Sequence, residues 1–273
     1  MRSLRISAIS FLNTAPLMWN FEHDPAPELT ANFEIDYHVP SQCAQALKEG
    51  SADIGIVPVI TYASIPDLAV IPRVTIAARG EVRSILLISK TPIEQIESVA
   101  VDSSSRTSVA LTQVLLTKFF GGRRELISMK PELDPMLARC GAALIIGDPA
   151  LQLSAEGLYR YDLAKIWFER TGKPFVFAVW AVRQQALREM RPGLRLAEIF
   201  QQSRDAGLRP ENIERIACEW SRRLRLTPEE IRSYLTGNIY YELDQPCLDG
   251  LQLFFEFAAE CGAAPRAPAL RFI

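Results

Sequence analysis

The pattern of apolar and polar residues in the first part of the chain alternates between strands and helices. Three short, mostly apolar segments are predicted as strands: residues 4–9, 33–39 and 53–58. A helix is predicted over residues 42–49, where Pro40-Ser41 opens it and Gly50 ends it. Strands and helices in this close alternation predict a parallel sheet that helices cover on both faces.

The same alternation starts again further along the chain. Further strands are predicted at residues 70–77, 84–89, 98–101, 125–129, 142–146 and 174–182. A turn at Arg79-Gly80 joins the first two of these, and a long helix that ends near Phe120 follows the third. Beyond residue 182 the pattern is that of amphipathic helices: residues 192–206, 210–224, 227–235 and 248–261.

The two series of elements predict two α/β lobes, one inserted into the other. We expect residues 1–88 and 178–273 to form the first lobe, which is discontinuous, and residues 89–177 to form the inserted lobe. The extended segments 84–89 and 175–182 would connect the lobes as a two-strand hinge. Ligands of open α/β sheets bind beyond the carboxyl ends of the strands, so a ligand is expected in the cleft between the lobes.

Composition limits the partners and the location expected for this chain. A net charge of −2, from 30 basic and 32 acidic residues, provides no global basic surface for nucleic acid or an acidic membrane. No apolar run approaches the roughly 18 residues of a spanning helix, and no signal-peptide pattern opens the sequence. Five cysteines without a Cys-x-x-Cys pair indicate free thiols in a reducing compartment. We therefore expect a cytoplasmic monomer or homodimer.

The histidine content excludes two common kinds of site. The chain has two histidines, His23 and His38, and neither lies in a metal-ligand spacing such as His-Glu-x-x-His. A metal site and a histidine-based catalytic triad are therefore not expected. The candidate chemistry lies instead in hydroxyl, amide and carboxyl side chains at turns.

The turn richest in hydroxyl groups lies between the predicted strand 98–101 and the helix that follows it. Residues 102–108, with the sequence DSSSRTS, would bring hydroxyls, free backbone amides and the Arg106 guanidinium together at a helix start, which favours an anion. Arg106 can hold a carboxylate through two parallel hydrogen bonds. The alternative is an ordinary serine N-cap with solvated neighbours.

Three other turns lie where a predicted strand ends and a helix starts. They are Asn13-Thr14, ahead of a helix expected near Pro16, Pro40-Ser41, and Gly147-Asp148. We expect Thr14, Ser41 and Asp148 to join the binding site, because these turns point into the same cleft. For Asp148 a cap of the helix at Pro149 is an equally good interpretation.

Seven segments spread over nearly the whole chain carry a family resemblance. They are SFLNTAPL at 10–17, ADIGIVP at 52–58, VRSILL at 82–87, DSSSRTS at 102–108, IGDPAL at 146–151, PFVFAVW at 174–180 and YLTGNIYY at 234–241. In this order they resemble the chorismate dehydratase family of the futalosine route to menaquinone. The resemblance implies a bilobed α/β fold of the type II periplasmic-binding-protein-like kind, with a two-strand hinge and a helical C-terminus.

The resemblance also implies an activity and the residues that perform it. Such enzymes remove water from chorismate, the small-molecule partner expected here, to give 3-[(1-carboxyvinyl)oxy]benzoate, without a metal or organic cofactor. Their catalytic residues are the Asn of the first segment and the Ser after the Arg of the third, which are Asn13 and Ser84 in this chain. Their carboxylate pocket corresponds to Ser104, Ser105, Arg106 and Thr107.

The reaction removes a ring hydrogen and the neighbouring hydroxyl, and so it needs a base. No His, Lys or Glu stands in the four turns, where Asp102 and Asp148 are the carboxylates. We therefore expect the enolpyruvyl carboxylate of the substrate to take the proton, with Asn13 orienting it and Ser84 assisting the departing hydroxyl. Donors on the ring carboxylate, Arg106 and its hydroxyl neighbours, would stabilise the developing charge as an oxyanion hole does.

Two other functions fit part of the sequence. A sister naphthoate synthase of the same pathway shares the fold, but its Cys- and Pro-rich N-terminal motif and its essential His do not stand here. The bilobed fold also serves non-catalytic proteins that bind small anions. Loss of the diene absorbance of chorismate separates the dehydratase from both alternatives.

Overall fold

The computed structural model describes residues 2–102 and 105–273, and strands from this part of the chain form two five-stranded sheets. The strands are β1 (Leu4–Ile9), β2 (Phe33–His38), β3 (Ile54–Pro58), β4 (Leu68–Ala78), β5 (Ile85–Ser89), β6 (Ser98–Val101), β7 (Glu125–Ser128), β8 (Ala142–Ile146), β9 (Tyr159–Asp162) and β10 (Phe175–Arg183). The bounds predicted for β1 and β8 agree with those observed, whereas β9 has no counterpart in the sequence prediction.

The first sheet has the strand order β2-β1-β3-β10-β4. β1 runs parallel to β2 and β3, with Leu4 opposite Phe33 and Ile6 opposite Ile54. β10 runs antiparallel to both of its neighbours. The expectation of a purely parallel sheet is wrong for this strand, because the chain enters β10 on its return from the second sheet.

The second sheet has the order β7-β6-β8-β5-β9 and repeats this arrangement. β6 runs parallel to β7 and β8, and β5 runs antiparallel to β8 and β9. The turn at Arg79-Gly80 therefore connects two sheets and not the two strands of a hairpin. In each sheet, four strands thus run in one direction. The fifth, which is β10 in the first sheet and β5 in the second, runs antiparallel between an outer strand and the other three.

Helices cover the faces of both sheets. They are α1 (Trp19–Glu22), α2 (Pro27–Asn32), α3 (Pro40–Glu49), α4 (Arg106–Phe119), α5 (Leu133–Arg139), α6 (Gly147–Leu151), α7 (Leu163–Thr171), α8 (Gln184–Glu189), α9 (Leu196–Gly207), α10 (Pro210–Ser221), α11 (Pro228–Ser233) and α12 (Gln245–Glu260). The helix expected near Pro16 starts earlier, as the 3-10 segment Leu12–Met18, and continues as α1. A π-helical turn, Tyr234–Asn238, follows α11.

Local sequence signals explain several helix ends. Pro40 takes the first turn of α3, where its missing N–H is not needed, and Gly50 ends the helix with φ 77°. Thr227 and Glu230 form a capping box at α11: the Thr227 hydroxyl accepts from the Glu230 amide at 3.2 Å, and the Glu230 carboxylate accepts from the Thr227 amide at 2.7 Å. These ends lie where the sequence predicts them.

The predicted lobe limits at 88/89 and 177/178 fall inside β5 and β10. β5 pairs over its whole length with strands of the second sheet, and β10 pairs with strands of the first. The chain passes between the sheets instead at residues 79–84 and 172–174. We infer that the lobes divide at these two connections.

The core of the first sheet is formed by large side chains around β10. Trp180 is fully buried, with its ring 4.7 Å from that of Phe200, and Phe175 packs on Phe254 at 4.8 Å between ring centroids. Burial of side chains of this size is a main source of folding free energy. In the part of the chain that the structure describes, no helix combines the length and apolar character needed to cross a bilayer.

Candidate active site

A cavity of about 60 Å³ lies between the two sheets, where the sequence predicts the ligand. It is lined by residues from strand ends and helix starts of both sheets: Ile9, Phe11, Asn13, Pro40, Pro58, Ile76, Val82, Ser84, Ile85, Ser105, Thr107, Ser108, Ile146, Gly147, Phe177 and Ala178. The lining is mostly apolar, with one amide and four hydroxyl side chains. A pocket for an organic ligand commonly measures several hundred Å³, so the sheets have to separate before such a ligand can enter.

Asn13 enters the cavity from the first sheet. It follows β1 in the 3-10 segment Leu12–Met18 and is half-buried. The Thr14 hydroxyl donates to the Asn13 amide oxygen at 3.4 Å, and the Thr14 amide donates to the Phe11 carbonyl at 3.0 Å. Thr14 itself is buried and does not line the cavity, so its place is that of a support for Asn13.

Ser84 enters the cavity from the second sheet, one residue before β5. Its hydroxyl oxygen accepts a hydrogen bond from the Tyr234 hydroxyl at 2.9 Å, and its carbonyl accepts from the Gly147 amide at 2.7 Å. A serine hydroxyl that accepts in this way still has its own hydrogen to donate. Ser84 is 1% exposed, so that hydrogen can be directed at a molecule in the cavity.

Tyr234 supports the predicted catalytic Ser84 with its hydroxyl group. Burial raises the pKa of Tyr234 well above its ordinary value. The phenol therefore keeps its proton at neutral pH and acts as a donor. Tyr234 opens the segment YLTGNIYY, and the sequence alone indicates no role for it.

The start of α4 supplies the other hydroxyl groups of the cavity. Ser105, Thr107 and Ser108 are all buried and line it. Ser105 holds the N-cap position without a side-chain bond to a described helix amide, so its hydroxyl is not that of an ordinary serine cap. The Thr107 hydroxyl accepts from the Ile60 amide at 3.3 Å, across the two sheets. Hydroxyls at the positive end of a helix favour a bound anion; Ser108 was not predicted.

Three predicted binding residues lie elsewhere or outside the described residues. Arg106 is exposed on the other side of α4, where it borders a separate groove beside Ser64 and Gln113. The buried face of the helix begins at the next residue, so the Arg106 guanidinium does not line this cavity. Ser41 is half-buried beside Pro40 and does not line the cavity. Ser104 lies outside the described residues.

Asp148 joins the two sides of the cleft. Its carboxylate oxygen accepts from the Leu12 amide at 3.1 Å, and the N-cap of α6 is Ile146, so the interpretation of Asp148 as a helix cap is wrong. Burial raises the pKa of Asp148 to about 6, which the hydrogen bond from Leu12 only partly opposes. A carboxyl group with such a pKa is suited to proton transfer near neutral pH. Asp102 is half-buried after β6 and does not line the cavity.

Phe11 and Gly147 form a close contact across the cleft. A β-carbon added at Gly147 would lie 2.8 Å from the Phe11 ring, and Gly147 has φ 65°. Only glycine combines this backbone conformation with so close an approach. Phe177 also lines the cavity, whereas Trp180 belongs to the core. An aromatic ring of β10 thus borders the site.

The chain matches known protein sequences over most of its length. Residues 4–260 match a protein-family model described as menaquinone biosynthesis. The chain is 30% identical over 254 residues to the chorismate dehydratase of Thermus thermophilus, a match that covers 86% of this chain and 89% of that protein. It is 31% identical over 186 residues to the chorismate dehydratase of Campylobacter jejuni, with 66% and 68% covered.

Solved structures with the same fold are more distant in sequence. A protein of Archaeoglobus fulgidus superposes with a TM-score of 0.74 at 16% identity, over 95% of this chain and 98% of that one. The periplasmic aliphatic sulphonate binding protein of Escherichia coli superposes with a TM-score of 0.65 at 15% identity, over 100% and 94%. The periplasmic-binding-protein-like fold is therefore confirmed. By its sequence and its fold, the chain belongs to the menaquinone biosynthesis family.

Proposed function

We propose that the chain is a chorismate dehydratase, which converts chorismate into 3-[(1-carboxyvinyl)oxy]benzoate and water in the first step of the futalosine route. The proposal is supported by two relatives of that name, at 30% and 31% identity. The observation that carries it is the meeting of Asn13 and Ser84, from opposite sheets, at one cavity lined with hydroxyl groups. The reaction needs these two kinds of donor on either side of the substrate ring.

The ring carboxylate of chorismate would bind at the start of α4. The donors there are the hydroxyls of Ser105, Thr107 and Ser108 and the helix amides. These groups are neutral, and they lie where water is largely excluded. Fixed neutral dipoles of this kind stabilise charge that develops on the carboxylate as the ring hydrogen leaves. These hydroxyls and amides would stabilise the charge on the ring carboxylate, which is the role that the sequence predicts for Arg106.

Ser84 would act on the hydroxyl that leaves. The C–H electron pair becomes the new ring double bond, the neighbouring C–O bond breaks, and the departing hydroxyl leaves as water with the proton that the base has taken from the ring carbon. The Ser84 hydroxyl can donate a hydrogen bond to that oxygen, and the bond from Tyr234 makes Ser84 a stronger donor.

The proton of the ring carbon would go to the enolpyruvyl carboxylate of the substrate itself, which Asn13 orients. No His, Lys, Asp or Glu stands among the described residues that line the cavity, which favours this assignment. The carboxylate is tethered beside the acidic carbon, and proximity of that kind is worth several orders of magnitude in rate. Asp148 is the competing base, because its pKa lies at about 6.

The free thiols support a cytoplasmic location. All five cysteines lie in the described residues and none is in a disulfide, and Cys218 is exposed. An exposed free thiol is typical of a reducing compartment. We propose that the enzyme acts there on chorismate alone, as a monomer or homodimer.

Turnover of chorismate tests the proposal directly. The purified chain is mixed with chorismate, the diene absorbance is followed, and the product is identified by the loss of one water from its mass. We expect turnover by the unmodified chain and a fall in kcat of about 10²–10⁴-fold in Ser84→Ala and in Asn13→Ala. Ser221→Ala, which changes a half-buried serine at the end of α10 that does not line the cavity, is the matched control and keeps full activity. Binding of chorismate without any loss of absorbance would instead indicate a binding protein.

A further inference from the structure

The residue before Ser84 has an uncommon backbone conformation. Arg83 has φ 63°, in the left-handed region, where a side chain with a β-carbon is strained. Ser84 follows it directly, and β5 begins at the next residue. The direction in which Ser84 enters the cavity therefore depends on whatever holds Arg83 in this conformation.

The carboxylate of Asp162 holds Arg83 in its left-handed conformation. One oxygen, Oδ2, accepts from the Val82 amide at 3.0 Å and from the Arg83 amide at 2.6 Å. The other, Oδ1, accepts from the Lys165 amide at 3.0 Å, as the N-cap of α7. A helix cap needs only the last of these bonds. The remaining two fix the peptide groups on either side of Val82, and the second of these carries the Arg83 N–H.

Asp162 is built into the second sheet and is itself rigid. It is the last residue of β9, stands opposite Leu86 of β5, and is 7% exposed. None of the ion pairs among the described residues includes it, so its charge is met by backbone amides alone. A buried carboxylate without a cation is costly, and three amide donors offset that cost.

We propose that Asp162 is a positioning residue for Ser84, holding the left-handed turn at Arg83 that directs the Ser84 hydroxyl into the cavity. Asp162 binds the amides of the two residues that precede Ser84, whereas the Gly147 amide donates to the Ser84 carbonyl and Tyr234 donates to its hydroxyl. The inference rests on the proposed function, because its effect is read in the step that Ser84 assists.

The first variant to test is Asp162→Ser. Serine keeps the N-cap of α7, but its single short hydroxyl cannot also reach the Val82 and Arg83 amides. We expect kcat for chorismate to fall about 10–100-fold with KM within about threefold, since substrate still binds at α4 while Ser84 is misplaced. Asp162→Thr, which also keeps a single hydroxyl for the N-cap and lacks the oxygen that accepts from Val82 and Arg83, gives the same fall in kcat with little change in KM if the serine variant does not fold.

A rescue at Arg83 separates this role from a purely structural one. Glycine adopts φ 63° without strain, whereas alanine has the same β-carbon as arginine. In the Asp162→Ser background, Arg83→Gly should restore at least about fivefold in kcat, and Arg83→Ala should restore nothing. Both changes remove the guanidinium, so their difference reports the backbone alone. The two Arg83 changes are also measured in the unmodified chain.

The outcomes separate this inference from the proposed function. If the unmodified chain does not consume chorismate, the proposed function fails and the inference fails with it. If the chain is active and Ser84→Ala is not, a kcat within about twofold of normal in Asp162→Ser and in Asp162→Thr overturns the inference alone. Equal rates for Arg83→Gly and Arg83→Ala in the Asp162→Ser background overturn it as well. A loss of thermal stability with kcat unchanged would give Asp162 a structural role only.

Discussion

The far end of the first sheet and the cavity end of the second treat a buried carboxylate in opposite ways. Away from the cavity, the Asp53 carboxylate is fully buried and accepts from the guanidinium groups of Arg2 and Arg5 at 2.5–3.2 Å. At the cavity, the carboxylate of Asp148 accepts from the Leu12 amide, and none of the ion pairs among the described residues includes it. One end neutralises its charge completely, and the other leaves it without a cation.

The difference appears in the pKa values of the two groups. Burial acts to raise the pKa of Asp53, but hydrogen bonds from Arg2 and Arg5 outweigh it and hold that pKa well below its ordinary value. Burial raises the pKa of Asp148 to about 6, with only the Leu12 amide to oppose it. The far end of the first sheet therefore contributes stability, whereas the cavity end of the second keeps a group that can exchange protons near neutral pH.

The largest effect is expected at the stabilising end. Asp53→Asn should lower the free energy of unfolding at pH 7 by about 3 kcal/mol, because two guanidinium groups lose a buried partner. Asp53 contributes its full stability above its unfolded pKa of about 4, and this contribution is lost as pH falls through its lower folded pKa. The stability of the variant should therefore fall less between pH 7 and pH 2 than that of the unmodified chain. Urea unfolding between pH 2 and pH 7 measures it. A change in kcat beyond about threefold would contradict the separation of the two ends.

The opposite slope is expected for Asp148. Because its folded pKa is raised, Asp148 contributes stability below its unfolded pKa, and that contribution is lost as pH rises through about 6. Asp148→Asn should therefore be more stable than the unmodified chain at pH 8, by about 2 kcal/mol, and no more stable at pH 4. Urea unfolding at the two pH values measures the difference.

The Asp148→Asn variant also distinguishes between the two candidate bases, the enolpyruvyl carboxylate of the substrate and Asp148. If the substrate carboxylate takes the ring proton, kcat of Asp148→Asn stays within about tenfold of normal and its pH–rate profile keeps its shape. If Asp148 is the base, kcat falls by more than about 100-fold and the limb near pH 6 disappears. Steady-state turnover of chorismate from pH 5 to pH 8 distinguishes the two results.

The smallest effect is expected from a pair of buried tyrosines. Tyr234→Phe removes the hydrogen bond to Ser84, and kcat should fall about tenfold with KM nearly unchanged. Tyr241 is the matched control, since its buried hydroxyl has no hydrogen-bond partner among the described residues. Tyr241→Phe should leave kcat unchanged and should not lower the melting temperature. Equal losses of kcat in both variants would remove Tyr234 from the site.

The sequence predicts most elements of this fold, but not the direction of two strands. The bounds of β1 and β8 follow from apolar runs that turn residues limit, which is local information. The antiparallel entry of β5 and β10 depends on where the chain crosses between the sheets, and no local pattern records that. β9, with two exposed residues out of four, has too few apolar positions to stand out.

The candidate site shows the same division. Asn13, Ser84, Ser105 and Thr107 lie at the cavity, as the motifs suggest. Arg106 does not, because neighbouring residues of a helix point about 100° apart and the sequence does not say which of them faces inward. The contacts of Asp162 join residues about 80 positions apart along the chain, so only the folded molecule brings them together.

The Leu12–Asp148 hydrogen bond has a consequence for the order of events during turnover. Leu12 and Asn13 are consecutive residues of one 3-10 segment, so the bond that ties the two sides of the cleft stands next to the amide assigned to the substrate. A parting of the sheets that carried α6 away from this segment would break the bond and draw Asn13 away from Ser84. The state of this one contact would then report both the closing of the cleft and the assembly of the proposed catalytic pair.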